Sequence, residues 1–74
     1  MKSIIVQMGT ERASRQFASD ATIGDVVNDN NIRAELGYGD NVRALILGVE
    51  QEFSTIAPAG ATIRVETRAN TKNS

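Results

Sequence analysis

The sequence predicts an α+β domain: a mixed sheet of four or five strands with one helix laid across it. Three observations predict it. Short β-branched stretches with period-two alternation stand near both ends, at Lys2 to Met8 and Thr62 to Thr67. Between them, Ile23, Val26 and Val27 have the i, i+3, i+4 spacing of one helical face. The 74 residues are 41% hydrophobic, which suffices for a single small core, and a sheet covered by a helix is a two-layer way to build one.

Each element follows from its residues in order. In Lys2 to Met8, Ile4, Val6 and Met8 point to one face and Ile5 and Gln7 to the other. Gly9-Thr10 reads as a hairpin turn. Glu11 to Phe17 alternates Arg12, Ser14 and Gln16 against Ala13, Arg15 and Phe17, the pattern of an exposed edge strand whose charges discourage edge-to-edge aggregation. Thr22 is placed to cap a helix, with Asp25 at the capping-box position three residues on. Gly24 weakens that helix by about 1 kcal/mol relative to alanine, unless it serves close packing against the sheet. Asn28-Asp29-Asn30-Asn31 ends or interrupts the helix, and a second short helical piece, Ile32 to Leu36, closes at Gly37.

Tyr38-Gly39-Asp40-Asn41 is a turn cluster, and Val42 to Leu47 is the strongest strand. Its two phases remain open: either Val42, Ala44 and Ile46 face the helix, or Leu45 and Leu47 do. Gly48 to Glu52 reads as a turn, with a brief return to apolar character at Phe53 and Ile56 and a loop at Ala57-Pro58-Ala59-Gly60. In the final strand Ile63 and Val65 point inward, Arg64 and Glu66 outward. The folded domain is expected to span residues 1–68, followed by a polar tail, 69–74. With a helical crossover between them, the first and last strands are expected to be parallel neighbours at the centre of the sheet.

This pattern resembles the β-grasp, or ubiquitin-like, fold, and within it the small sulfur-carrier and molybdopterin-synthase small-subunit branch. Three places carry the resemblance: the N-terminal hairpin Lys2 to Phe17, the helix start Ser19-Asp20-Ala21-Thr22-Ile23-Gly24-Asp25-Val26-Val27, and Ala59-Gly60-Ala61-Thr62-Ile63-Arg64-Val65 leading into the last strand. Leu47-Gly48 falls where that branch has an Asn-Gly turn, with the asparagine replaced. The resemblance implies a β-grasp roll. The branch's chemistry uses a C-terminal Gly-Gly that threads a narrow channel, and this sequence has no glycine after Gly60, so sulfur transfer and conjugation are not expected to carry over.

Composition narrows the function classes further. Cysteine and histidine are both absent, which removes disulfides, thiol catalysis, the usual zinc ligands and the usual proton shuttle near neutral pH. Ser14, Ser19 and Ser54 have no histidine to activate them, and the glycines form no phosphate-cradling motif. No catalytic residue, cofactor or metal is therefore expected. A net charge of −1 and a pI near 5.2 do not fit a general nucleic-acid binder, and no apolar run is long enough for a membrane span. Arg12, Arg15, Arg43, Arg64 and Arg68 line up either as a basic stripe or as a solvated face paired with Glu11, Glu50 and Glu66. The acids Asp20, Asp25, Asp29, Glu35 and Asp40 read as capping or solvated groups.

One feature points to a function. If Val42, Ala44 and Ile46 face the helix, then Ile5, Leu45 and Leu47 form an apolar patch on the opposite face of the sheet, framed by Arg43 and Arg64. These five residues are the candidate partner-binding site. The expected function is a small non-enzymatic module that binds a protein partner through this face or through an edge strand. The other reading is a structural or accessory component of a larger assembly, such as a phage or viral particle or a multicomponent enzyme complex. Either would act inside the cell or within a particle assembled there.

Overall fold

A computed structural model describes residues 1–39 and 41–67 of the chain. The elements run β1 (Lys2–Met8), β2 (Glu11–Phe17), α1 (Ile23–Val27), α2 (Asn30–Leu36), β3 (Val42–Ile46), β4 (Val49–Gln51) and β5 (Thr62–Thr67). The strands make one five-stranded sheet in the order β2-β1-β5-β3-β4. β1 and β5 are parallel at its centre, with Val6 beside Ile63, and every other pair is antiparallel. The two helices occupy the crossover in place of one helix, and Asp40 and the expected tail lie outside the described residues.

The inward residues of each strand make the core. Ile4, Val6, Ile63, Val65 and Ala44 are buried against Ile23, Val26, Val27 and Ile32 from the helices. That burial fixes the phase of β3: Val42 and Ala44 face inward, and Arg43 and Leu45 face out. β3 stops at Ile46, one residue before the expected end, because Leu47 and Gly48 form the turn into β4. The fourth strand lies at Val49–Gln51, within the stretch expected to be turn, while Ile56 makes an isolated bridge to Thr22.

α1 begins on its predicted signal, whereas α2 starts at Asn30, two residues before the expected Ile32. Thr22 and Asp25 form a reciprocal capping box at the start of α1. The Asn-Asp run that interrupts α1 also starts α2, since the Asp29 carboxylate accepts from the Asn31 and Ile32 N–H groups. Gly37 closes α2 in the left-handed conformation.

Gly24 serves close packing, against the Phe53 loop rather than the sheet. Its N–H donates to the Phe53 carbonyl at 2.8 Å, and an added Cβ would sit 3.0 Å from that oxygen and 3.1 Å from the Phe53 Cβ. Gly24→Ala is therefore expected to destabilise the fold by about 1–2 kcal/mol despite alanine's better helix propensity, read as a lower urea midpoint.

Two buried polar side chains brace the ends of this core. The Lys2 ammonium donates to the carbonyls of Ser19 at 3.0 Å, Ala21 at 3.0 Å and Ala57 at 2.5 Å. It thereby ties β1 to the loop before α1 and to the loop before β5. The Tyr38 hydroxyl donates to the Val27 carbonyl at 2.5 Å, fastening the end of α2 to the end of α1.

Burial pushes the Tyr38 hydroxyl up to about 12, against a pull downward from Arg33 and a further push from Asp29. A raised pKa means that the folded state holds the proton more tightly. This stabilisation is complete below the ordinary value of 10.0 and is lost as the pH climbs toward 12, with a slope of at most about 1.4 kcal/mol per pH unit. Tyr38 is the only tyrosine and tryptophan is absent, so the phenolate absorbance reports this one group. Its appearance is expected to lag that of the urea-unfolded chain and to coincide with loss of the β-sheet circular dichroism signal.

Candidate functional site

Among the described residues the helices cover one face of the sheet and leave the other open. Strand alternation places Ser3, Ile5 and Gln7 of β1, Arg12, Ser14 and Gln16 of β2, Arg43 and Leu45 of β3, and Arg64 and Glu66 of β5 on that outer face. Leu45 stands directly opposite Arg64, and Arg43 opposite Glu66. Across β5 from Leu45 lies Gln7, while Ile5 stands one step along the same face, beside Thr62 and diagonal to Leu45. Four of the five predicted site residues, Ile5, Arg43, Leu45 and Arg64, therefore share one face. Ile5 and Leu45 are half-buried by their neighbours, so the apolar area consists of two side chains set diagonally across β5, with Thr62 and Arg64 between them.

The arginines are held by carboxylates. Glu66 takes Arg43 on one oxygen at 2.9 Å and Arg64 on the other at 3.4 Å, and Glu50 approaches Arg43 at 4.0 Å. At this exposure such pairs contribute about 0–1 kcal/mol each. Their main effect is to fix the two guanidinium groups over the sheet. The paired-face reading thus holds for Arg43 and Arg64. Arg15, by contrast, points to the helix side and pairs with Glu35 of α2 rather than with Glu11. A stripe of all five arginines does not form on this face among the described residues, and Arg68 lies outside them. The Arg43 Nε is buried with no hydrogen-bond partner, a cost to the free fold.

Leu47 is the fifth predicted residue, and it leaves the strand. Leu47 and Gly48 are the two central residues of the β3–β4 turn, with φ of 53° and 81°. Positive φ at both positions is the requirement of a type I′ hairpin turn, which favours Asn-Gly. A leucine there costs roughly 1–2 kcal/mol. Its side chain is also 97% exposed, and Val49 beside it is 61% exposed. The hairpin tip therefore carries a strained, fully solvated apolar side chain at the rim of the outer face. Leu47→Asn is expected to stabilise the fold by about 1 kcal/mol, seen as a melting temperature higher by roughly 4–8 °C.

Sequence reasoning did not single out Lys2 or Tyr38 as buried. A lysine at a strand start and a tyrosine in a turn cluster look like surface residues, and nothing local marks the carbonyls that receive them. Among the described residues no group of three potential metal ligands is found, and no helix is long and apolar enough to cross a membrane.

No family model matches the chain, and no curated protein matches it. Solved structures do. A ubiquitin of Caldiarchaeum subterraneum superposes with a TM-score of 0.70 at 18% identity, over 95% of this chain and 96% of that one. SAMP1 of Haloferax volcanii gives 0.69 at 15% identity, over 92% and 97%. An N-terminal ubiquitin-like domain gives 0.71 at 15% identity, over 99% and 80%. Parallel β1 and β5 at the centre, helices on one face and these superpositions together establish that the chain has the ubiquitin-like β-grasp fold.

Proposed function

We propose that the chain is a small, non-catalytic ubiquitin-like module that docks a protein partner on its outer sheet face, with Ile5, Leu45 and Leu47 as apolar contacts and Arg43 and Arg64 as the polar rim. One observation carries this reading: Leu47 is strained and wholly exposed where asparagine would be less strained. An outlier that costs the fold and serves no packing is the kind of feature that function retains. The face it adjoins has the makeup of an interface, with leucine and isoleucine flanked by arginines already oriented by Glu66.

The test is site-specific photocrosslinking in the native host. A crosslinker at position 45 is expected to trap one protein in stoichiometric amount, and one at Ala34 on α2 to trap none. Equal trapping at both positions, or trapping at Ala34 alone, contradicts the proposal.

A further inference from the structure

Among the described residues no strand pairs with the outer edge of β2, the end strand of the sheet. The Ile5 N–H donates across to Ala61, and the Ser3 carbonyl accepts from Gly60. Both groups therefore point away from β2. In an antiparallel pair the residues opposite them, Ser14 and Gln16, must then turn their own N–H and C=O groups outward, and Arg12 follows by alternation. β2 is seven residues long, ladders with β1 along its whole length and contains no proline. The opposite edge, β4, has only three residues.

The charges on β2 discriminate among the ways in which two copies could meet. A two-fold symmetric edge pairing is antiparallel, so one residue faces itself at the dyad. Centring on Arg12 or on Arg15 sets an arginine against its own copy, and centring on Glu11 does the same with a carboxylate. Centring on Ser14, Gln16 or Phe17 avoids repulsion but makes no ion pair within β2. Centring on Ala13 puts Glu11 opposite Arg15 of the second copy twice over and Arg12 opposite Ser14, with only small side chains at the dyad. It also matches the outward-pointing groups, because Arg12 and Ser14 are then hydrogen-bonded partners. The charges that deter general edge pairing thus single out one register.

We infer that the β2 edge pairs with a second copy of this chain in the register centred on Ala13, joining two sheets into one of ten strands. In the single chain the Arg15 guanidinium donates to the Ser14 carbonyl at 2.9 Å and to Glu35. On pairing, that carbonyl receives the Arg12 N–H of the second copy, and Arg15 reaches the second copy's Glu11. The contact is a narrow one, so a weak dimer is expected, with a dissociation constant on the order of 100 µM.

Sedimentation equilibrium of the full chain tests this. The mass is expected to rise from 8.0 kDa toward twice that value as the concentration goes from about 10 µM to about 1 mM. Glu11→Arg creates two like-charge pairs and is expected to stay monomeric, while Glu11→Arg with Arg15→Glu restores the dimer. Ser14→Pro removes only an outward N–H, so it is expected to fold, checked by circular dichroism, and to remain monomeric. A wild-type monomer at the highest concentration overturns the inference. So does a dimer that Glu11→Arg and Ser14→Pro leave intact, or a double variant that fails to recover it.

Discussion

Lys2→Met is expected to destabilise the protein by about 3 kcal/mol, a large share of the roughly 4–11 kcal/mol available to a domain of this size. Methionine keeps the length and packing of the stem. What it removes is the charged donor that meets the Ser19, Ala21 and Ala57 carbonyls. Hydrogen bonds to a charged group contribute about 1.5–3 kcal/mol each, and buried acceptors that lose a donor add their desolvation cost. The Ala21 carbonyl keeps a second donor, the Ala57 N–H at 3.0 Å, so the three losses do not simply add. Equilibrium urea unfolding reads the effect as a lower midpoint at unchanged slope. Arg12→Met, on the exposed face of β2, is the control and is expected to change stability by less than about 0.5 kcal/mol. A Lys2→Met midpoint equal to wild type would show that the ammonium clasp contributes nothing.

Leu45→Asp is expected to weaken partner binding by at least about 2 kcal/mol, roughly 30-fold in dissociation constant, while the protein stays folded. Leu45 lies on the outer face between Arg64 of β5 and Glu50 of β4, half-buried rather than within the core. An aspartate there remains solvated next to Arg64 in the free protein. In the complex it would be desolvated in the middle of an apolar contact, and the affinity falls for that reason. The fold is read by circular dichroism and the affinity by titration calorimetry. A variant that unfolds would place Leu45 in the core, contrary to the inward packing of Val42 and Ala44.

The periodic parts of the chain were the legible ones. β1 and β5 alternate cleanly because one face of each meets the helices, and the parallel pairing of Val6 with Ile63 follows from a crossover that must pass over that face. Thr22 with Asp25, and Gly37, act through bonds within three or four residues, so their signals are local. β3 was ambiguous because Ala44, Leu45, Ile46 and Leu47 are all apolar. Only the tertiary packing of Val42 and Ala44 decides which face turns inward. The stretch that forms β4 read as turn because three residues are too few to show a period, and the Leu47-Gly48 turn that defines it lacks the usual asparagine. Of the candidate site, alternation placed Ile5 and Arg64 on the outer face, and it placed Arg43 and Leu45 there only for one of the two phases of β3. The departure of Leu47 from the strand was not, since a left-handed leucine contradicts the local preference on which such a reading depends. Lys2 and Tyr38 were missed because their partners are backbone carbonyls at least 11 residues away.

Chemical-shift mapping of the isotope-labelled protein with its crosslinked partner, once purified, tests the docking face most directly. The predicted result is a contiguous set of perturbed amides at Ile5, Arg43, Leu45, Leu47 and Arg64, with α1 and α2 unshifted. Perturbations centred on the exposed residues of α2, with the outer face silent, would contradict it.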